Sequence, residues 1–277
     1  MQERQELRTC SLSSGSSGNS IYIGCGETHI LIDAGRSARA LTGLLCGIGV
    51  QISEISAIFI THEHIDHVSA LKVLVNRNKI PVYIVWESFN NLGEDYKSAL
   101  GGVVNFIKSG AQIKIGDLTV ECCPVSHDSA ANVGYIISHG ENGENKAVGV
   151  FTDIGCISEQ IRNCACGCKI LYIESNHDLE MLKNSSYPDS LKKRIKSRTG
   201  HLSNQECAEI LPYFIKHGTE KIILCHLSGE NNKKEIALKE SKRSILSAKL
   251  NAGTVHLGVA PKSETSRLIR MKLSCVR

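Results

Sequence analysis

Thr61-His62-Glu63-His64-Ile65-Asp66-His67 places three histidines and an aspartate within seven positions. Imidazole and carboxylate are the groups that hold divalent transition metals, and neutral imidazole is the commonest of these ligands. An ordinary core or surface has no use for such a cluster. Upstream, Ile55-Ser56-Ala57-Ile58-Phe59-Ile60 reads as a buried strand; downstream, Val68, Leu71, Leu74 and Val75 fall at helical spacing. The cluster therefore sits where a strand hands over to a helix, with Asp66 near the helix start, where a carboxylate is favoured. An extended backbone points His62 and His64 to one side. Asp66 and His67 are adjacent and are expected to diverge, reaching a second ion instead of sharing the first.

The chain around this cluster has an ordinary globular composition. Of its 277 residues 42% are hydrophobic and 22% charged, which excludes disorder. We read it as one domain spanning residues 1–277. No apolar run approaches membrane-spanning length and Met1–Glu6 lacks a signal peptide's apolar core, so a cytoplasmic protein without a membrane partner is expected. Several of the twelve cysteines (Cys122, Cys123, Cys225) lie inside expected strands, and a chain this long has a core without staples. Reduced thiols are expected, including Cys164, Cys166 and Cys168 at a helix-to-strand turn.

Working outward, strands are expected near 7–12, 20–24, 28–33 and 55–60, with helices near 37–47 and 66–78. Strand signals dominate from 103 to 152 (118–125, 133–138 and 146–152), with a turn at Gly140–Asn145. Strands at 169–174 and 221–226 then alternate with helices near 156–163, 188–198, 203–217 and 233–248, and a short β-rich tail follows from Thr254. This order points to an α/β protein with two sheets packed face to face and helices outside, a four-layer αββα arrangement. Further metal ligands are expected just past strand ends, where loops carry chemistry on a rigid scaffold. Three residues stand there: His127 after Pro124-Val125, Asp153 after Val148–Thr152, and His226 after Ile222–Cys225.

H-x-H-x-D-H at 62–67, then His127, Asp153 and His226 in that order, resembles the metallo-β-lactamase-fold hydrolases. Leu31-Ile32-Asp33-Ala34-Gly35 is similar to the strand that supports their metal loop. The resemblance covers roughly residues 7–232. It implies the αββα sandwich and two divalent ions, one held by His62, His64 and His127, the other by Asp66, His67 and His226, with Asp153 bridging and Asp33 steadying the loop by hydrogen bonds. A nitrogen-rich set with two carboxylates suits Zn²⁺, with Mn²⁺ or Fe²⁺ also open. His64 stands where di-iron redox relatives tend to carry a carboxylate, which favours hydrolysis.

Paired cations lower the pKa of bound water to near neutral and absorb transition-state charge, which serves a phosphodiester, a thioester or a lactam alike. The rest of the site must discriminate. Glu174, ending Ile170–Ile173, and Gly200-His201-Leu202-Ser203-Asn204 resemble the glutamate and helix start of ribonuclease Z-type enzymes. By that resemblance His201 protonates the leaving alkoxide and Glu174 orients it; both join Asp66 as catalytic residues. Only 26 positions separate His127 from Asp153, which leaves no room for the tRNA-gripping arm of those enzymes.

Glu174-Ser175-Asn176-His177-Asp178, His226-Leu227-Ser228 and Ser14–Asn19 are similar to the YycJ/WalJ-type branch, regarded as DNA-directed 5′-to-3′ exonucleases. Ser16, Asn19, His177 and Ser228 are candidate substrate contacts on that basis. From Lys183 to Arg198 six basic residues stand against one acid, a local net of +5 in a chain of net +4. Lys192, Lys193 and Arg194 in this run are candidate contacts to the phosphates of DNA. A metal-dependent DNA exonuclease is the reading; a small-molecule hydrolase, either a cyclic phosphodiesterase or a thioesterase, is the alternative on the same centre.

Overall fold

The computed structural model describes residues 6–140, 145–251, 253 and 255–273. Along the chain, β1 (Glu6–Ser13), β2 (Ser20–Cys25) and β3 (Thr28–Ile32) are followed by α1 (Ala38–Gly47) and β4 (Ile55–Phe59). Next come α2 (Ile65–Val68), α3 (Leu71–Asn78), β5 (Val82–Val85), α4 (Trp86–Asn90), α5 (Glu94–Leu100) and β6 (Val104–Ile107). The strands β7 (Gln112–Ile115), β8 (Leu118–Val125), β9 (Asn132–His139) and β10 (Asn145–Phe151) lead into α6 (Glu159–Ala165) and β11 (Ile170–Glu174). Then follow α7 (Leu179–Asn184), α8 (Asp189–Ile195), α9 (Asn204–Lys216), β12 (Lys221–Cys225), α10 (Lys234–Ser247), β13 (His256–Val259) and β14 (Ile269–Lys272).

One seven-stranded sheet runs β14-β1-β2-β3-β4-β5-β6 and the other β13-β12-β11-β10-β9-β8-β7. In the first, β14 through β3 pair antiparallel, and the sheet turns parallel from β3 to β6. In the second, β10 to β13 are parallel. Parallel neighbours require crossover connections, and helices supply them. The parallel strands lead from their carboxyl ends into the loops where the expected ligands lie.

The chain divides into two compact units. Met1–Cys122, Ser138–Asn145 and Pro261–Arg277 form the first; Cys123–Ile137 and Lys146–Ala260 form the second. In the first, Leu41 and Leu45 of α1 and Leu71, Leu74 and Val75 of α3 pack with Leu31, Ile58, Val82 and Ile84. In the second, Ile161, Leu211, Phe214 and Ile245 cover Leu171, Ile173, Ile222 and Leu224. Burying each such side chain contributes roughly 1.5–3 kcal/mol. No helix among the described residues is long and apolar enough to cross a membrane.

Several expectations need correction. The helix expected over 66–78 is broken between α2 and α3. Ala70 donates its N–H to Ala34 O at 2.9 Å and Ser69 Oγ donates to Arg36 O at 3.0 Å, which pulls the turn onto the loop after β3. A stretch without an expected element holds β5, α4 and α5, and α7 was also unforeseen; all are too short to show a period. In the turn expected at Gly140–Asn145, positions 141–144 lie outside the described residues, as does Thr254 at the start of the tail. The tail itself contributes β13 and β14.

The cysteine expectation also fails in part. Cys123 of β8 and Cys164 of α6 form a disulfide across 41 positions, while Cys166 and Cys168 are free. Two elements packed in one core bring together thiols that sequence spacing keeps apart. Cross-linking a loop of this length is worth about 2–4 kcal/mol. Cys164→Ser should therefore lower the urea midpoint, and non-reducing peptide mapping should recover Cys123 linked to Cys164. Finding both thiols freely alkylated would refute the bond.

Candidate active site

In the first unit, β3 is followed by Asp33, which adopts φ +64°, a left-handed conformation uncommon outside glycine. That turn aims a fully buried carboxylate at the loop after β4. Asp33 Oδ1 accepts the Thr61 N–H at 2.8 Å, and Oδ2 accepts Thr61 Oγ1 at 2.9 Å and His67 Nδ1 at 2.8 Å. Burial pushes the Asp33 carboxyl upward, with His67 and Thr61 pulling against it.

His64 caps the amino end of α2, and the rings of His62 and His64 lie 4.5 Å apart, as alternation required. Asp66 and His67 do not diverge as expected: the helical turn brings Asp66 Oδ2 within 3.6 Å of His67 Nε2. The loop before β2 clamps this arrangement from behind. Asn19 donates its main-chain N–H to Asp66 O at 2.8 Å, and its amide nitrogen lies 3.3 Å from Asp66 Oδ2 and 3.0 Å from His67 Nε2. Asn19, a candidate substrate contact, braces two expected ligands, and Ser16, another candidate, is exposed at the loop tip.

In the second unit, Asp153 (φ +54°) and His226 (φ +55°) are also left-handed and stand just past β10 and β12. Backbone strain at three expected site residues is what a functional constraint imposes, since each such conformation costs about 1–3 kcal/mol. Asp153 Oδ1 lies 3.3 Å from His226 Nδ1, 3.7 Å from His201 Nδ1 and 3.8 Å from His127 Nε2. Glu174, fully buried, accepts at Oε1 from His226 Nδ1 at 2.7 Å and from His201 Nδ1 at 2.9 Å. Its Oε2 accepts the N–H groups of Ile154 at 2.7 Å and Leu202 at 3.2 Å. Burial alone would raise the Glu174 carboxyl, yet the two imidazoles outweigh it and bring it down to about 2. His201 moves the other way: burial lowers its pKa, but the Glu174 carboxylate prevails and raises it. Burial keeps His127 low, so its ring is neutral and suited to a metal.

The imidazoles of both units share one design. Nδ1 of His62 meets Thr61 Oγ1 at 3.0 Å, that of His67 meets Asp33, that of His127 meets Gly200 O at 3.0 Å, and that of His226 meets Glu174. Holding Nδ1 orients each ring and turns Nε2 to serve as the ligand atom, as metal-binding histidines require. The donor set therefore fits divalent ions. In the second unit, donor atoms of Asp153, Glu174, His201 and His226 lie within 4.8 Å of one another.

The basic run is tied to the candidate residues of the second unit. His201 donates its main-chain N–H to Ile195 O at 2.9 Å, and Ser126 Oγ donates to Arg198 O at 2.9 Å. Arg194 pairs with Asp128, beside His127, and Lys192 Nζ donates to Lys183 O at 2.8 Å, whereas Lys193 is exposed. Ser228 is half-buried, its hydroxyl accepting from Asn231 N at 3.1 Å. His177 is buried against the start of α9. Sequence reasoning overlooked Thr61 and an amide network. In that network, Asn232 Nδ2 donates to Ser175 O and Asn176 O at 2.9 Å, and Ser175 Oγ donates to Asn204 Oδ1 at 2.6 Å. Asparagines beside strand ends were the available signal.

Residues 28–227 match the model of the β-lactamase superfamily domain. The chain belongs to that superfamily. It is 36% identical over 230 residues to exodeoxyribonuclease YycJ of Bacillus anthracis, covering 82% of this chain and 84% of that one. With exodeoxyribonuclease WalJ of Streptococcus pneumoniae strain D39 it shares 35% over 248 residues, 87% and 89% of the two chains. Among solved structures, the metallo-β-lactamase fold protein YhfI of Bacillus subtilis superposes with TM-score 0.68 at 15% identity, covering 96% of this chain and 100% of that one. The fold class is the αββα metallo-β-lactamase sandwich, the branch is the YycJ/WalJ type, and the protein is a metal-dependent hydrolase.

Gly35 marks how closely the metal loop is packed, because a Cβ there would meet Asp66 O at 1.5 Å. Gly35→Ala must displace Asp66, so a loss of about 1–3 kcal/mol in urea unfolding and a lower bound-metal content are expected. Wild-type values for both would show that Asp66 does not depend on this contact.

Proposed function

We propose that this protein is a metal-dependent nuclease that removes nucleotides from DNA in the 5′-to-3′ direction. The supporting observation is the single Glu174 oxygen that holds both His226 and His201. One carboxylate thereby links an imidazole turned to serve a metal with a neighbouring imidazole whose pKa it raises. His201 is only partly covered, with 23% of its side chain exposed. With Nδ1 committed to Glu174, its Nε2 is free to deliver a proton to an alkoxide leaving from phosphorus. A thiolate leaving group needs no such acid, so the thioesterase alternative is not favoured, and the names of the YycJ and WalJ relatives point the same way.

In this reading His62, His64 and His127 would hold one divalent ion, Asp66, His67 and His226 a second, and Asp153 would serve both. Zn²⁺ is the best match to the nitrogen-rich set, with Mn²⁺ or Fe²⁺ as the other candidates. When bound, such ions acidify water and offset charge on phosphoryl oxygens. Asp33 and Glu174 position the histidines from behind. Lys193 and Arg194 on α8, with Lys192, meet DNA phosphates, giving binding that weakens with salt and has little sequence preference. A cytoplasmic location accompanies this substrate.

The test is release of nucleotides from linear duplex DNA labelled at either end. Hydrolysis should require a divalent metal, stop on chelation and be lost in His64→Ala. His201→Ala should lower kcat by about 10²–10⁴-fold while metal content persists. Near-full turnover in His201→Ala would remove the acid from the mechanism, and failure to release nucleotides with any divalent ion would end the nuclease reading.

A further inference from the structure

Three residues beyond Glu174 the chain reaches His177, which forms an isolated parallel bridge with Ser203 and accepts the Asn204 N–H at 2.8 Å. These bonds fix His177 to the segment that carries His201. The residue is 1% exposed, and neither ring nitrogen has a hydrogen-bond partner among the described residues. Leaving a buried polar group unpaired costs on the order of 1–3 kcal/mol, so this ring is unlike the braced imidazoles of the metal loop. It lines a surface pocket of about 280 Å³ together with Leu179, Lys196, Gln205, Glu206 and Glu209.

The lining decides which chemistry fits. Burial pushes the His177 ring down to about 4, so near neutral pH it offers one N–H and one lone pair. Two carboxylates against one ammonium make the pocket a poor host for phosphate. No group of metal-ligating side chains among the described residues includes His177. A flat heterocycle with an exocyclic amino group satisfies the lining well. Glutamate accepts from such an amino group, imidazole and the Gln205 amide each supply a donor and an acceptor, and Leu179, 41% exposed, offers an apolar face. The volume lies just under the roughly 300–1,000 Å³ of pockets for drug-sized ligands, which suits a single base.

We propose that this pocket is a subsite for one unpaired, amino-bearing nucleobase of the DNA strand, an inference that rests on the nuclease reading above. Unpaired bases are read in this manner by hydrogen bonds along their edges, and Lys196 at the rim would meet the strand's phosphate. The subsite would hold a single-stranded end by its base on the segment that carries His201.

The experiment uses the metal-loaded protein and duplexes with a single-stranded 5′ tail, made either of deoxycytidines or of abasic nucleotides. In the wild type, KM should be at least about tenfold lower for the deoxycytidine tail, a difference of about 1.4 kcal/mol. In His177→Leu and in Gln205→Ala that ratio should fall toward one. The second variant changes an exposed side chain and keeps the test informative should the first not fold. Equal KM values in the wild type, or an undiminished ratio in Gln205→Ala, would overturn the subsite and leave the nuclease standing. No hydrolysis of either tail would overturn both.

Discussion

A buried glutamate with four donors holds the second unit's His201 and His226 in one arrangement. Glu174 takes two imidazoles on one oxygen and two main-chain N–H groups on the other, with no exposure to water. A carboxylate in that position is costly unless its lone pairs are satisfied by charged or fixed partners. Here two of the partners are the His201 and His226 imidazoles. Ile154 follows Asp153, Leu202 follows His201, and His226 bonds directly, so one side chain registers the loops after β10 and β12 and the turn between α8 and α9. Moving any of them strands a buried charge, which keeps the geometry rigid before substrate arrives.

The first unit repeats the device with Asp33. It too sits at a strand end, is buried, and accepts both from a main-chain N–H and from an imidazole. The left-handed turn at Asp33, like those at Asp153 and His226, lets a side chain leave its strand sideways into the loop region. Small residues complete the fit. Gly18 and Gly35 meet where a Cβ on Gly18 would lie 2.5 Å from Gly35 O, which allows the Ser-Gly loop to reach Asp66. The loop is thus a brace for Asp66.

The basic run shows a similar double duty. Its helix supplies the carbonyl that holds the His201 main chain, and Arg194 neutralises Asp128 beside His127. Positive charge is therefore built into the support of the site and does not simply decorate a distant face. The exposed cations Lys193 and Arg194 and the carbonyl that holds the His201 main chain come from the same short helix.

Residue chemistry and local period made much of this legible in the linear chain. The H-x-H-x-D-H run announces metal binding because few other uses exist for it, and His127, Asp153 and His226 stand out because each ends an apolar strand. Long strands and helices were readable for the same reason: their periods repeat over enough residues. Folding in space decided what depends on distant partners. Glu174 meets His226 across 52 positions, Asn19 meets Asp66 across 47 and Cys123 meets Cys164 across 41. The break after α2 and the unpaired ring of His177 belong to the same class. A hydrogen bond, a disulfide or a pocket is a relation between segments, and no local pattern encodes which segment will arrive.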